Sequence, residues 1–218
     1  MRSDRSTPSV RQRDDLDRVV RSGGRLPLRV VLDNLRSAWN VGSIFRTSEG
    51  AGVEWIHLCG ITPYPPHPKL EKTARGTTLL VPWSHHVDPM EAIRILKGNG
   101  YRLAALELTD RSVDYRSLPY SHPFGIILGH EVAGVTRPLL ENADYIVEIP
   151  LIGRKNSLNV ATACGVVLFE ILRQWGIGGG EPDGPEHDGG ERGGDERGDD
   201  CDGGAAARDR SGEGGEVG

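Results

Sequence analysis

Hydrophobic residues between Leu28 and Trp175 fall into short, nearly continuous runs separated by segments of helical period. The runs Leu28–Leu32, Val53–Cys59, Thr78–Trp83, Arg102–Leu108, Phe124–Leu128 and Tyr145–Ile149 have the length of strands. They show little polar alternation, as a sheet covered on both faces requires. Between them, Val41–Ala51, Pro89–Gly98, Val135–Ala143 and Asn159–Trp175 read as helices. Asp88 supplies an N-cap with Pro89 at the first helical position, and Gly98-Asn99-Gly100 is a stop signal. Strands alternating with helices predict an α/β fold, a mostly parallel sheet with helices on both faces. The last helix, VATACGVVLFEILRQW, is apolar almost all round. It must be buried on more than one side, between two subunits or at the centre of one domain.

Composition divides the chain into three. The first 29 residues hold eight Arg against four Asp, residues 30–176 are neutral, and residues 177–218 hold four Arg against thirteen acidic residues. The net charge of −5 therefore hides a neutral middle and does not argue against a nucleic-acid partner. Residues 1–27 read as a basic segment with a possible short helix, about Val10 to Arg21, whose thin apolar face is Leu16, Val19 and Val20. That helix is either an RNA-facing arginine arm or a plain solvated face. Residues 177–218 contain half of the 30 glycines and almost no large apolar residue, and are expected to be a disordered acidic tail. Cys59, Cys164 and Cys201 form neither a closed disulfide set nor a metal pair, so a reduced, cytoplasmic protein is expected. The N-terminus lacks the apolar stretch of a secretory signal, and no run is long enough to span a bilayer.

Three segments carry polar chemistry where a strand-like run meets a turn or helix start, the place where open α/β sheets bind ligands. The first is Asn40-Val41-Gly42-Ser43-Ile44-Phe45-Arg46. Asn40 would cap a helix starting there, and Arg46 offers a planar fork of donors suited to phosphate or carboxylate, or is simply a surface Arg. The second is Gly129-His130-Glu131-Val132-Ala133-Gly134. A carboxylate straight after a buried strand is costly unless paired, and Arg46 is the obvious candidate partner for Glu131. Alternatively, Glu131 is a helix-start acid favoured by the dipole. His130 is either a general base or a loop histidine. The third runs from Ile149-Pro150-Leu151 to Asn156-Ser157-Leu158-Asn159-Val160. Ser157 or Asn159 would cap the long helix, and having several polar residues there suggests further work. There is no dinucleotide-binding or phosphate-binding glycine loop, no G-x-S-x-G elbow and no zinc spacing among the histidines from His57 to His130. His85 and His86 on a strand would point opposite ways.

Taken in order, N-x-G-x-x-x-R, G-x-E-x-x-G and I-P-L-x-G-x-x-x-S-L-N-V resemble the three motifs of the SpoU (TrmH-like) RNA ribose 2′-O-methyltransferases of the SPOUT superfamily. The segment Glu71-Lys72-Thr73-Ala74-Arg75-Gly76 resembles a TrmH-like subgroup, with Thr77 in place of the usual alanine; His130 stands where Asn or Ser is common. The resemblance covers about Leu28 to Trp175 and implies a methyltransferase domain over residues 28–176 with a deep C-terminal trefoil knot. It also implies a homodimer, S-adenosylmethionine as cofactor, an RNA substrate (tRNA or rRNA), and neither metal nor membrane partner. Carried over, Thr109, Gly129, Ile149 and Leu158 would line the cofactor. Arg46 would be the catalytic arginine, Asn40 its organiser, and Glu131, Ser157 and Asn159 the polar set around it. A catalytically silent RNA-binding protein of the same fold is the alternative.

Overall fold

The computed structural model describes Leu16, Arg18, Val19 and residues 22–177. The expected acidic tail and most of the N-terminal segment lie outside the described residues, although Leu16, Arg18 and Val19 are helical and Leu16 is buried. In chain order the elements are β1 (Leu26–Asp33), α1 (Ala38–Gly50), β2 (Val53–Cys59), α2 (Pro68–Ala74), β3 (Trp83–His86), α3 (Pro89–Gly98) and β4 (Arg102–Leu106). There follow β5 (Val113–Asp114), β6 (Phe124–Gly129), α4 (Arg137–Asn142), β7 (Tyr145–Glu148) and α5 (Val160–Trp175).

The seven strands form one sheet in the order β3-β2-β1-β6-β4-β7-β5, and every pairing is parallel. Successive residues of the central strands go to opposite faces. Leu28, Val30 and Leu32 of β1 and Phe124, Ile126 and Leu128 of β6 join one apolar cluster. Val31, Leu103, Ala105 and Ile127 join the other. The first cluster is covered by α1, α2 and α5, the second by α3 and α4. Apolar burial on both faces explains why the strands read as continuous runs. It also accounts for most of the apolar girth of α5. Cys164, Val167, Leu168, Ile171 and Trp175 are completely buried within this one chain, leaving Phe169 as the large apolar residue on its outer side.

The expected strand Thr78–Trp83 is not there. Arg75 and Gly76 are both left-handed, and a 3-10 turn spans Thr77–Leu79. The Thr77 hydroxyl donates to the Ala74 carbonyl at 2.7 Å and the Thr78 hydroxyl to Glu71 at 2.8 Å. Such local side-chain bonds compete with a strand ladder. They leave Leu79 and Leu80 exposed, and pairing begins only at Trp83, opposite Ile56. The helix α2 just before it is absent from the sequence expectations, though Pro68 at its first turn and buried Leu70 and Ala74 four apart mark it.

The topology sets up a switch point. From β1 the chain lays β2 and β3 outward in one direction, whereas β6, β4, β7 and β5 lie in the other. The loops leaving β1 and β6 therefore diverge from neighbouring strand ends, where α/β sheets open a crevice.

Gly42 allows α1 and α2 to approach. A Cβ at this position would lie 2.6 Å from the Leu70 carbonyl oxygen and 2.8 Å from the Thr73 Cβ. Glycine to alanine in a helix interior ordinarily gains about 1 kcal/mol. Overpacking against backbone costs about 1–3 kcal/mol and should win here. Gly42→Ala is expected to lower the thermal midpoint by a few degrees; an unchanged or higher midpoint would contradict this packing.

Candidate functional site

The first turn of α1 differs from the sequence expectation. Ser37, not Asn40, is the cap, its hydroxyl accepting from the Asn40 backbone N–H at 3.2 Å. This leaves the Asn40 side chain available for longer contacts. Its Nδ2 donates to Glu131 Oε1 at 3.0 Å, and its Oδ1 accepts from Asn159 Nδ2 at 3.0 Å. Asn159 Oδ1 in turn accepts from the Ala161 and Thr162 N–H groups, capping α5. A carboxylate only accepts, so Glu131 fixes which way both amides face. One chain of hydrogen bonds thus ties together the three motif segments.

Glu131 is held elsewhere than sequence reasoning placed it. Its partners are the backbone N–H of Arg36 at 3.0 Å, the N–H of Ser37 at 3.1 Å and the Asn40 amide, not Arg46. Partial burial alone would raise its pKa. Hydrogen bonds from the Arg36 N–H, its own N–H, the Asn40 amide and the Ser37 N–H outweigh that effect, so the carboxyl lies below its ordinary value. The position beside the start of α1 also places an anion at the positive end of the helix dipole.

The loop that carries Glu131 is closed tightly. His130 and Gly134 exchange both backbone hydrogen bonds, at 2.8 and 3.1 Å. Gly129 permits this, since a Cβ there would fall 2.2 Å from the Gly134 carbonyl carbon and the Val135 nitrogen. His130 Nδ1 accepts from the N–H groups of Val132 and Ala133 at 3.0 and 3.1 Å. That nitrogen is therefore committed to the turn and is not a free base. An imidazole nitrogen does here what a short side-chain oxygen does in an Asx turn, which explains why histidine serves at this position. Glu107 supports the loop from β4, accepting from Val135 N–H at 2.8 Å.

Beside this loop lies a cavity of about 530 Å³, a size suited to a small ligand. It opens among the carboxyl ends of β4, β6 and β7 and the segment entering α5. Gly129, Ile149 and Leu158, expected beside the cofactor, line it, and so do Glu131, Ser157 and Asn159, which were expected around Arg46. Thr109 does not; it is tied into a turn with Ser112 just beyond Leu108. Asn40 reaches the cavity only through Glu131 and Asn159. Arg46 is exposed on α1, six residues beyond Asn40, and has no hydrogen bond or ion pair among the described residues.

Among the lining residues not expected from the sequence, two are acidic, Glu107 and Glu148. Each is an acidic residue at the end of an apolar strand-like run, the same signal that singled out Glu131. Glu148 accepts a hydrogen bond from the Ser112 hydroxyl. The lining thus offers three carboxylates and no lysine or arginine, which suits a ligand with positive charge. The described cysteines do not contribute: burial pushes the thiols of Cys59 and Cys164 up to about 12. Among the described residues no group of His, Cys, Asp and Glu is placed to hold a metal ion, and no helix is long and apolar enough to cross a membrane.

A parallel α/β sheet with an acidic, cofactor-sized cavity at the carboxyl ends of β4, β6 and β7 defines the class; sequence comparison defines the family. The model of the SpoU rRNA methylase family matches residues 27–169, and the chain belongs to that family. It is 33% identical over 147 residues to the tRNA (guanosine(18)-2′-O)-methyltransferase of Escherichia coli and 35% identical over 147 residues to that of Thermus thermophilus. These matches cover 67% of this chain and 63% and 75% of the relatives, so the chain spans somewhat less than two thirds of the E. coli protein. Among solved structures, an S-adenosylmethionine-bound rRNA methyltransferase from Sinorhizobium meliloti aligns with a TM-score of 0.61 at 35% identity, over 67% of this chain and 56% of that one.

Because its folded pKa is lowered, Glu131 stabilises the fold above its ordinary pKa near 4.5, and this contribution is lost as pH falls through the folded value. NMR titration should place Glu131 below 4.5 in the wild type and higher in Asn40→Ala, which lacks the amide donor. An identical titration in the two proteins would show that the Asn40 bond is not made in solution.

Proposed function

We propose that this protein transfers a methyl group from S-adenosylmethionine to a ribose 2′-hydroxyl of tRNA or rRNA. The observation that carries the reading is the Glu131–Asn40–Asn159 hydrogen-bond chain, which assembles all three motif segments beside the acidic cavity. The relatives named above, two for tRNA 2′-O-methylation and one for rRNA methylation, support the same chemistry.

The cavity fits the cofactor on its own terms. A sulfonium and an ammonium are cations, and Glu107, Glu131 and Glu148 provide negative charge with no lysine or arginine in the lining. Leu106, Leu128, Ile149, Leu151 and Leu158 provide apolar contact for the adenine. Bound there, S-adenosylmethionine supplies an electrophilic methyl group. What the chain must supply is orientation of a weakly acidic hydroxyl and stabilisation of the charge developing on its oxygen. Arg46 has the chemistry for both: a permanently charged, forked donor, uncommitted within the fold and open to an RNA phosphate. Its high intrinsic pKa makes it a poor proton acceptor. Glu131 is poor as well, since its carboxylate is already committed to N–H donors and its pKa is lowered. The reading therefore assigns Glu131, Asn40 and Asn159 to organising the site, with Ser157 on its rim, and leaves the proton to phosphate or water.

The C-terminal knot and the homodimer belong to the same proposal. The connection from β5 to β6 and that from β6 to β7 both pass β4, in opposite directions, and α5 then returns to the α1 side. This doubled crossing supports a threaded C-terminal segment. Phe169, 55% exposed on α5 beside Val166, supports a subunit contact. Val167 and Leu168 do not, since both are core within one chain.

The direct test is methyl incorporation from labelled S-adenosylmethionine into bulk tRNA and rRNA, followed by mapping of alkali-resistant ribose positions. No incorporation, together with no cofactor binding, would point to the silent RNA-binding alternative. Arg46→Ala should lower turnover by at least about 100-fold, as loss of an oxyanion donor does. Calorimetric affinity for S-adenosylmethionine should stay unchanged, because Arg46 does not line the cavity. Arg46→Lys should fail too, a point charge being no substitute for the fork; near-normal turnover by either variant would remove Arg46 from the assignment. Wild type should be dimeric by light scattering at micromolar concentration, and Phe169→Glu should give folded monomers. A monomeric wild type would contradict the subunit contact.

A further inference from the structure

Trp39 is 45% exposed, one residue before the Asn40 of the hydrogen-bond chain. An exposed indole in the first turn of a helix loses apolar contact that the same side chain would gain in the core. Yet its neighbours α1 and α2 pack closely through Gly42 and leave it outside. The Lys72 ammonium of α2 lies over its ring, 6.0 Å from the centroid. Lys69 and Lys72 of α2, and Arg75 at the left-handed position that ends it, are exposed, whereas Leu70 and Ala74 are buried. On α1, Trp39, Ser43 and Arg46 fall at i, i+4 and i+7, on one outward face. That face runs from the indole to the guanidinium over seven residues, about 10 Å of helix. An aromatic plane flanked by cations, with a free Arg beyond it, matches a single-stranded nucleic acid, whose bases stack on aromatic faces and whose phosphates meet basic groups.

We infer that Trp39 and Lys72 form a platform that receives an unpaired RNA base and its phosphate beside the nucleotide presented to Arg46. This rests on the RNA methyltransferase reading above and adds to it a substrate requirement: the target lies in unpaired RNA, because a duplex keeps its bases stacked on each other. The Trp39 indole takes the base, and Lys72 takes the phosphate on its own side of the ring. Trp39 is a positioning residue and takes no part in methyl transfer.

The test uses the full-length protein, a mixed-sequence single-stranded RNA and the duplex of the same sequence as binding probes, and bulk tRNA and rRNA as methyl acceptors. Trp39→Ala should weaken single-strand binding about tenfold, the loss of one stacked base. Its duplex binding should be nearly unchanged. Trp39→Phe should keep most of the single-strand affinity because a π-face remains. Lys72→Ala should reduce the salt slope of single-strand binding by about 0.7, one phosphate contact. Calorimetric affinity for S-adenosylmethionine should be the same in all variants, which separates this surface from the cofactor cavity and shows that the variants fold. Single-strand binding by Trp39→Ala equal to wild type would overturn the platform. So would equal loss on single strand and duplex. If wild type methylates RNA and Trp39→Ala keeps its KM for that RNA, the platform falls and the enzyme reading stands. If wild type methylates neither bulk tRNA nor rRNA but its single-strand binding depends on Trp39, the platform stands and the enzyme reading falls.

Discussion

The Glu131 carboxylate is the group on which the site's arrangement depends. It follows a buried strand but is itself exposed, and neutral donors hold it in place. Because it accepts and never donates, it fixes the Asn40 amide; the Asn40 oxygen fixes the Asn159 amide; and the Asn159 oxygen caps α5. Three segments far apart in sequence are registered by this directional chain. At its other end the chain is fixed by the Ala161 and Thr162 N–H groups, which can only donate, so both ends impose the same direction on the two amides.

The geometry around that chain is set by close backbone approaches. Gly129 lets the Glu131 loop fold back on the end of β6, and Gly42 lets α2 lie against α1. Both glycines belong to motifs read from the sequence, and both are required for space, not for positive φ. The sheet provides the rest. With β1 and β6 adjacent at the switch point, the loop that starts α1 and the loop that carries Glu131 are neighbours although 94 residues separate Ser37 from Glu131.

The α/β architecture was legible because the central strands β1, β4 and β6 are buried on both faces, which writes a long apolar run into the sequence. β1, β2, β6, β7, α1, α3 and α5 were located to within a few residues. Thr78–Trp83 misled because its apolar content resembles a strand while its threonine hydroxyls and left-handed Arg75 and Gly76 hold a turn. Most of the cavity lining was legible from the motifs; Thr109 is not part of that lining, whereas Glu107 and Glu148 are. Pairing was the least legible property. Arg46 and Glu131 have opposite charges and lie in adjoining motifs, and sequence joined them. Yet the backbone N–H groups of Arg36 and Ser37, invisible to a charge-based argument, already satisfy the carboxylate.

That misassignment has a consequence for chemistry. Had Glu131 paired with Arg46, the guanidinium would be neutralised within the fold and would meet an incoming phosphate only after breaking an ion pair. Satisfying the acid with neutral donors separates the two charges. The glutamates Glu107, Glu131 and Glu148 line the cavity, proposed for a cationic cofactor, while Arg46, with Lys72 of α2 and Arg75 at its end, is exposed on the side proposed for an anionic RNA. Asn40 stands between these regions and hydrogen bonds into the acidic one from the helix that carries the basic one. The proposed methyl transfer from a cation to a polyanion needs both ligands held close without their binding sites cancelling each other, and a neutral amide partition between an acidic pocket and a basic face meets that requirement.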